Sequence, residues 1–303
     1  MRAPHVHKIL QDKALSRIAI VGVGLLGGSI GLALRARGFR GTRVGIGRRA
    51  TSLEAAMQYG AVDEVTQDIA TGVARADLVI LCAPIGQFEG LMRAMAGALK
   101  PGTLVTDVGS TKVEVLRMAR RCLPRTVRFV GSHPMAGSEK TGVEFARADL
   151  FERAVCLITP TSRTAPADVK WLERFWEALG GRPRVLTPQR HDALLARVSH
   201  LPHAVATALV RLALKDSAID LAGPGFGDTT RIASGDAALW TDIFRTNSEA
   251  VRKALDGLIA ELTRFRDKLA RDDAEAIFEW LELSRRERDA WVARRYKKEE
   301  FPT

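Results

Sequence analysis

Short apolar runs alternate with amphipathic stretches through the first 187 residues of the chain. Uninterrupted runs of β-branched residues predict strands that are buried on both faces, as in a parallel sheet covered by helices. We expect strands at 17–21, 43–46, 78–82, 104–107, 127–130, 155–158 and 184–186, and helices at 29–37, 53–59, 88–99, 112–122 and 167–179. This alternation of elements predicts a doubly wound α/β domain.

After Pro188 the apolar residues follow helical spacing instead. We expect helices at 189–214, 237–266 and 272–296, the first interrupted at Leu201-Pro202, and a glycine-rich loop at 223–227. The helices are apolar on more than one face, so we expect a homodimer that covers part of this surface. The sequence therefore predicts an α/β domain at 1–187 and an all-helical domain at 188–303.

Composition places the chain among ordinary globular proteins, with 303 residues, 46% hydrophobic and 27% charged. No uninterrupted apolar run approaches the roughly 20 residues of a bilayer span, and the first residues lack an apolar signal segment. Three widely spaced cysteines fit a reducing cytoplasm. The net charge of +11 would suit nucleic acid, but aromatic residues are few and no nucleic-acid motif is visible. We expect a cytoplasmic protein without a membrane or nucleic-acid partner.

Residues 22–27 read Gly-Val-Gly-Leu-Leu-Gly, between the first predicted strand and its helix. In that context the pattern predicts a dinucleotide site. Gly22 permits the tight turn, Gly24 lets the backbone approach a pyrophosphate, and Gly27 allows close packing of helix on strand. The residues expected to contact the cofactor are Gly22, Gly24, Leu25, Leu26, Gly27, Gly47, Arg48, Arg49, Ala83 and Pro84.

The end of the second strand bears on the choice of cofactor. An acidic residue about 20 positions after the glycines usually binds the ribose hydroxyl of NAD. Here Gly47 is followed by Arg48 and Arg49, and no carboxylate appears before Glu54. Two guanidinium groups without an acid favour the 2′-phosphate of NADP. The alternative is an NAD enzyme in which Arg48 stacks on adenine and Arg49 is solvated.

Three segments are rich in polar residues that packing does not require: 107–112, 131–142, and 199–203 together with 225–231. The string at 131–142 and the string SHLPHAVATAL from Ser199 resemble the prephenate/arogenate (cyclohexadienyl) dehydrogenase family. The resemblance runs from Ile18 to about Asn247. It implies a Rossmann domain followed by a helical dimerisation domain like that of 6-phosphogluconate dehydrogenases. It also implies oxidative decarboxylation of prephenate or arogenate with NAD(P), a step of tyrosine biosynthesis.

The residue chemistry agrees with this resemblance. Removal of hydride from a carbinol carbon requires a group that accepts the hydroxyl proton, and histidine has a suitable pKa near neutrality. His133, expected in a loop after a strand, matches the family's catalytic histidine. Ser110 matches a serine that hydrogen-bonds the same hydroxyl, and it could also cap the helix at Lys112. Arg231, expected in a Gly/Thr-rich loop, matches the arginine that binds a substrate carboxylate.

The remaining substrate-side expectations come from the resemblance as well. They are His203, Ser138, Glu139, His200 and Trp240. For either histidine a role in the core stays open, as it does for Trp240. An acid at Glu139 could pair with the ammonium group of arogenate, which favours arogenate or the use of both substrates, although prephenate stays open. We expect no metal, because two histidines three apart have no third ligand nearby.

Two alternatives compete with this assignment. A β-hydroxyacid or 6-phosphogluconate-type dehydrogenase combines the same two kinds of domain, but the first helical segment offers no lysine before Lys215. A nucleic-acid-binding protein is the alternative from another class. The chain begins close to its first strand and ends in a charged helix, so we expect neither a preceding chorismate mutase domain nor a C-terminal ACT domain.

Overall fold

The computed structural model describes residues 6–138, 140–215 and 218–300. Six parallel strands form the main sheet, in the order β3-β2-β1-β4-β5-β6. The strands are β1 (Arg17–Val21), β2 (Thr42–Ile46), β3 (Glu64–Thr66), β4 (Leu78–Leu81), β5 (Leu104–Asp107) and β6 (Arg128–Phe129). This is the strand order of the Rossmann fold, so the expected doubly wound domain is confirmed. The direction of winding reverses between β1 and β4, where such folds bind dinucleotides.

Helices cover both faces of this sheet. They are α1 (Leu25–Ala36), α2 (Ala50–Gln58), α3 (Ile69–Val73), α4 (Phe88–Met95) and α5 (Val113–Cys122). Because successive side chains of a strand point to opposite faces, Ile18 and Ile20 join one apolar cluster while Ala19 and Val21 join the other. The central strands are buried on both faces, which explains their uninterrupted apolar sequences.

A second sheet continues the chain after β6. It contains β7 (Gly131–Pro134), β8 (Val155–Thr159) and β9 (Arg182–Val185), with α6 (Pro166–Ala178) between the last two. β7 runs antiparallel to β8, and β8 runs parallel to β9. The expectation that His133 lies in a loop is wrong, because His133 is a residue of β7 and pairs with Leu157. A strand holds the imidazole more firmly than a loop would.

Short helices follow the second sheet. They are α7 (Pro188–Leu195), a π-helical turn (Ala196–His200), α8 (Leu201–Ala213), α9 (Pro224–Thr230), a 3-10 turn (Arg231–Ser234) and α10 (Ala237–Thr246). The glycine-rich loop expected at 223–227 is wrong, because this segment is helical: Pro224 opens α9, where the missing N–H of proline does no harm. Arg231 accordingly opens a 3-10 turn and does not lie in a loop.

The interruption expected at Leu201-Pro202 is a π-helical turn rather than a break. Proline has no N–H, and its ring collides with the carbonyl group four residues earlier, which here belongs to Val198. The π-helical turn avoids this collision because its hydrogen bonds span one residue more than those of an α-helix. As a result His200 is buried while Ser199 is only partly so, and α7 and α8 continue one another.

Other boundaries differ from the expectations. Helix α1 begins at Leu25 rather than Ser29, directly after the glycine turn. The single helix expected at 237–266 is divided into α10 and α11 (Ser248–Ala270), and the last helix is α12 (Ala274–Glu300). The short elements β3, α3 and β7 were not expected; each has at most five residues, too few for a periodic pattern to show.

The chain divides into two compact units, residues 1–251 and 252–303. In the second unit Phe265 of α11 stacks on Trp280 of α12, with ring centroids 4.5 Å apart. The indole N–H of Trp280 donates to Glu261 at 2.7 Å. By length and composition alone, the helical segment 188–213 would reach across a membrane. That is weak evidence, since a core helix of a soluble protein meets the same test.

Candidate active site

The glycine turn between β1 and α1 is shaped for a phosphate group. Gly22 has φ +99°, a left-handed conformation that favours glycine. A β-carbon at Gly27 would lie 1.9 Å from the carbonyl oxygen of Gly22. The helix can therefore approach the strand this closely only because residue 27 has no side chain. Gly24 precedes the first turn of α1, and apart from its chain neighbours no described residue has an atom within 4 Å of a β-carbon built there. The open space at Gly24 and the free N–H groups of the helix fit a pyrophosphate.

The end of the neighbouring strand β4 lies beside this glycine turn. A β-carbon at Gly22 would lie 3.0 Å from the backbone nitrogen of Ala83, so the residue after Cys82 borders the glycine turn. Pro84 follows and is exposed. Leu25 and Leu26 are half-buried in the first turn of α1, and Leu26 packs against the core.

At the end of β2 the two arginines are exposed. Gly47 is half-buried, and the carbonyl oxygen of Arg48 accepts from the Gln67 side chain at 2.5 Å. The backbone of Arg49 begins α2. Within the described residues neither guanidinium group forms an ion pair. Both arginines are therefore available to an anionic ligand.

A buried ion pair connects the main sheet to β7. Lys112 and Asp107 are both fully buried and their charged groups are in direct contact. The ammonium group of Lys112 also donates to the carbonyl oxygen of Ser132 at 2.7 Å, and the N–H of Ser132 donates to Asp107 at 3.1 Å. Burial raises the pKa of Asp107 and lowers that of Lys112, while their mutual contact opposes both shifts. The pair fixes the residue next to His133.

His133 belongs to a chain of hydrogen bonds that ends at a carboxylate. Its Nδ1 lies 3.0 Å from Nε2 of His191, and Nδ1 of His191 lies 2.7 Å from Oδ1 of Asp192. The Asp192 carboxylate also accepts from the backbone N–H groups of Lys112 at 2.8 Å and Val113 at 2.9 Å. A side chain from α7 thus caps α5, which starts at the carboxyl end of β5.

The histidines in this region are neutral at pH 7. Burial, together with the nearby His191, Lys112 and His200, holds the pKa of His133 well below its usual range. Burial also lowers the pKa of His191, although Asp192 opposes the shift. For His200 burial lowers the pKa to about 4. A neutral imidazole has a lone pair that can accept a proton, which is the state a general base requires.

The network continues to the other predicted substrate residues. Asn247 donates through Nδ2 to the carbonyl oxygen of Asp192 at 2.9 Å and lies 3.1 Å from Nδ1 of His200. Trp240 packs edge-on against His200 and stacks on His203, with ring centroids 3.6 Å apart. Nδ1 of His203 is buried and makes no hydrogen bond with the described residues. An unpaired buried nitrogen of this kind fits a ligand group better than an apolar core.

The remaining residues expected on the substrate side are Arg231, Ser138 and Glu139. A β-carbon at Gly235 would lie 2.5 Å from Nε1 of Trp240, which places the segment just after Arg231 against the stacked rings. Arg231 itself is exposed. Ser138 is exposed, and its Oγ accepts from the N–H of Lys140. Glu139 lies outside the described residues.

Ser110 follows β5 and is half-buried. The expectation that it could also cap the next helix is wrong. The first N–H groups of α5 donate to the carboxylate of Asp192, which arrives from another part of the chain. The Ser110 hydroxyl is therefore not required for that helix.

Comparison with known proteins decides the family. Residues 30–185 match the model of the prephenate dehydrogenase nucleotide-binding domain, and residues 187–283 match that of the prephenate dehydrogenase dimerization domain. The chain belongs to the prephenate dehydrogenase family. It is an NAD(P)-dependent dehydrogenase, as the resemblance implied.

Relatives of this dehydrogenase cover most of its length. The prephenate dehydrogenase of Bacillus subtilis is 34% identical over 90% of this chain and 75% of that protein, and the cyclohexadienyl dehydrogenase of Zymomonas mobilis is 33% identical over 89% and 94%. The crystal structure of A. aeolicus prephenate dehydrogenase with hydroxyphenyl propionate and NAD+ has a TM-score of 0.86 at 35% identity, over 91% of this chain and 98% of that one. Synechocystis arogenate dehydrogenase has a TM-score of 0.79 at 31% identity, over 91% and 99%.

Several residues of this hydrogen-bonded network were not among the site residues predicted from the sequence. They are Asp107, Lys112, His191, Asp192 and Asn247. His191 and Asp192 stand side by side within an apolar helical segment, and both are buried. A polar pair on the apolar face of a helix was the available signal, because buried polar groups require partners.

Proposed function

We propose that this dehydrogenase oxidises and decarboxylates prephenate, arogenate or both, with His133 as the group that accepts the ring hydroxyl proton. One observation carries the assignment of His133. Its Nδ1 is held by His191, while its Nε2 forms no hydrogen bond with any described residue. A buried, neutral imidazole with one nitrogen fixed and the other open is suited to bind a hydroxyl group.

The proposed reaction begins with a hydrogen bond between the ring hydroxyl and the open nitrogen of His133. The ring hydroxyl donates to Nε2 of His133, and the proton moves there as the carbinol carbon loses hydride and becomes a carbonyl carbon. Breakage of the bond to the ring carboxylate then releases CO2, and its electron pair makes the ring aromatic. The resulting phenolate oxygen takes the proton back, which leaves His133 neutral. Bound NAD(P)+ supplies the nicotinamide ring that accepts the hydride.

The residues predicted for the substrate side have the chemistry to orient such a substrate. Ser110 offers a hydroxyl group at the end of β5, from which it would contact the same ring oxygen. Arg231 would bind a carboxylate through two hydrogen bonds. Nδ1 of His203 would complete the contacts to the substrate side chain, supported by the stack on Trp240. His200 and Ser138 are proposed to border the same pocket, and Glu139 would distinguish the ammonium group of arogenate.

The cofactor is proposed to be NADP. The open space at Gly24 supports pyrophosphate binding at the start of α1. The exposed side chains of Arg48 and Arg49 support a contact with a 2′-phosphate. With NAD, Arg48 would instead stack on adenine. The Gly47, Ala83 and Pro84 positions would border the ribose and nicotinamide parts of the ligand.

We also propose a cytoplasmic homodimer built by the helical part, 188–303, with the α/β part at 1–187. Apolar side chains remain exposed on the final two long helices, among them Ile259, Leu262, Phe278 and Leu281. Exposed apolar surface of this kind is typical of a subunit interface. Sedimentation of the purified protein at micromolar concentration should give a dimer. A stable monomer would contradict this part of the proposal.

The test of the activity is a four-way assay. Purified protein is given prephenate or arogenate with NAD+ or NADP+, and the absorbance of the reduced cofactor is followed. We expect reduction with at least one substrate and a preference for NADP+. The His133→Asn variant should lose about 10²- to 10⁴-fold in kcat. No reduction in any combination by folded protein that still binds the cofactor would refute the activity, and a fully active His133→Asn variant would refute the role of His133.

A further inference from the structure

We propose that His191 and Asp192 are positioning residues that fix one tautomer of His133 and turn its Nε2 lone pair toward the substrate. This inference rests on the proposed role of His133 as the proton acceptor. Neither positioning residue touches the substrate in the proposal. Their effect reaches the reaction through the hydrogen bond between the two imidazole rings.

The first step of the argument is the anchoring of Asp192. Its Oδ2 accepts from the N–H of Val113, and its Oδ1 accepts from the N–H of Lys112. A carboxylate at the start of a helix is held both by these bonds and by the helix dipole. The side chain therefore has a fixed position, and Asn247 also binds its backbone carbonyl oxygen.

The second step follows from what Asp192 can accept. Oδ1 of Asp192 lies 2.7 Å from Nδ1 of His191, and a carboxylate oxygen is an acceptor. Nδ1 of His191 must therefore carry the hydrogen. Burial favours the neutral ring, so Nε2 of His191 has no hydrogen and can only accept.

The third step concerns the hydrogen bond between His191 and His133. Nε2 of His191 lies 3.0 Å from Nδ1 of His133, and one of the two nitrogens must donate. Because Nε2 of His191 is an acceptor, Nδ1 of His133 carries the hydrogen. In a neutral ring this leaves the lone pair on Nε2, the atom that the described residues leave open. The carboxylate thus sets the tautomer across two rings.

The groups around His133 determine how strongly its tautomer depends on His191. The charged and titratable groups that face it are His191 and Asp192 from α7, Asp107 at the end of β5, Lys112 directly before α5, and His200 from the π-helical turn. Lys112 is paired with Asp107 and is not available as an alternative partner for the ring. Loss of His191 would leave Nδ1 of His133 buried without an acceptor, and the other tautomer would become favourable.

The tautomers can be observed directly in the intact enzyme. The chain has 6 histidines, so uniform nitrogen-15 labelling of histidine gives a small set of ring signals in long-range nitrogen–proton NMR spectra. The His133 signals are identified by their loss in His133→Asn. We expect His133 and His191 to carry hydrogen on Nδ1. A wild-type spectrum with His133 protonated on Nε2 would overturn the proposal.

Substitutions at His191 test the consequence for the reaction. His191→Phe keeps a flat ring but has no acceptor, whereas the side-chain oxygen of His191→Gln can still accept from Nδ1 of His133. We expect His191→Phe to lower kcat by about 10²-fold with KM changed less than about threefold, a smaller loss than removal of a tautomer-setting carboxylate causes in serine proteases. His191→Gln should recover about tenfold of that loss. Gln189→Ala, on the exposed face of the same helix, is the matched control.

The outcomes separate this inference from the proposed function. An inactive His133→Asn together with a fully active, folded His191→Phe would remove the positioning role and leave His133 as the base. Equal losses in His191→Phe and His191→Gln, with an unchanged His133 tautomer in both, would show that His191 acts only through packing. A fully active His133→Asn would instead remove the proposed function on which the inference rests. If His191→Phe does not fold, the wild-type spectrum and His191→Gln still decide.

Discussion

A β-carbon at Gly27 would lie 1.9 Å from the carbonyl oxygen of Gly22, closer than a carbon and a non-bonded oxygen can approach. The contact joins the first turn of α1 to the end of β1. The neighbouring Gly24 has the opposite environment: apart from its chain neighbours no described residue lies within 4 Å of a β-carbon there, and its φ of −79° suits any residue. The two glycines therefore serve different purposes: Gly27 permits the fold, whereas Gly24 leaves room for the ligand.

We expect Gly27→Ala to destabilise the protein and Gly24→Ala to weaken only cofactor binding. The added methyl group at position 27 must displace backbone, which should lower the free energy of unfolding by about 2 kcal/mol or more. At position 24 it occupies the space proposed for pyrophosphate, so the cofactor Kd should rise about tenfold or more at unchanged Tm. Thermal unfolding and cofactor titration of both variants provide the measurement. Cofactor affinity unchanged in Gly24→Ala would place the pyrophosphate elsewhere.

The contrast between these glycines and the hydrogen bonds from His133 to Asp192 shows which features could be predicted from sequence alone. A glycine motif is local, and its strand–turn–helix context was visible along the chain. The contact between His133 and His191 joins residues 58 positions apart, and the cap of Lys112 comes from a residue 80 positions away. Such partners depend on how α7 docks on the sheet, which no spacing rule supplies.

The helical region shows the same limit at a smaller scale. Pro202 indicated a disturbance in the helix, but its outcome depends on packing: a kink and a π-helical turn satisfy the backbone differently. Glycine-rich residues 223–227 indicated a loop, yet tertiary context made them helical. The sequence singled out His200, His203 and Trp240 as candidates for the substrate side, while the contacts among their rings emerged only in three dimensions.

The two exposed arginines after β2 lead to a prediction about cofactor choice. If Arg48 and Arg49 bind the 2′-phosphate, replacing both with alanine removes contacts that NAD does not make. We expect KM for NADP to rise about tenfold or more and KM for NAD to change less than about twofold. Steady-state kinetics with both cofactors provide the measurement. An equal rise for both cofactors would indicate stacking of Arg48 on adenine instead.

Two substitutions outside helix α5 test what caps its start. Asp192→Ala removes the acceptor of two backbone N–H groups and of His191, so the free energy of unfolding should fall by about 2–3 kcal/mol. Ser110→Ala should leave unfolding unchanged, since Asp192 provides the cap, while kcat falls because the proposed contact to the ring hydroxyl is lost. Urea unfolding and steady-state assays separate the two effects. A large loss of stability in Ser110→Ala would contradict the assignment of the cap.

The buried histidines make stability depend on pH in a definite direction. For His200 the folded-state pKa is about 4, below the 6.5 of an unperturbed histidine. As pH falls below 6.5 the unfolded chain therefore takes up a proton before the folded chain does, and unfolding becomes more favourable. His133 and His191 have pKa values lowered in the same sense. The stability they contribute is complete above the unfolded pKa and is lost as the pH falls toward the folded values.

We therefore expect the free energy of unfolding to be flat above about pH 7 and to fall steadily down to about pH 4.5, with about 2–3 kcal/mol of the decrease due to His200. Urea unfolding across this range provides the measurement. His200→Gln should reduce the slope, because glutamine does not titrate and its side-chain oxygen can accept from Asn247, the partner that lies 3.1 Å from Nδ1 of His200. If His200→Gln keeps the full acid slope, the histidine is not buried in its neutral form. The acid sensitivity would then come from other groups.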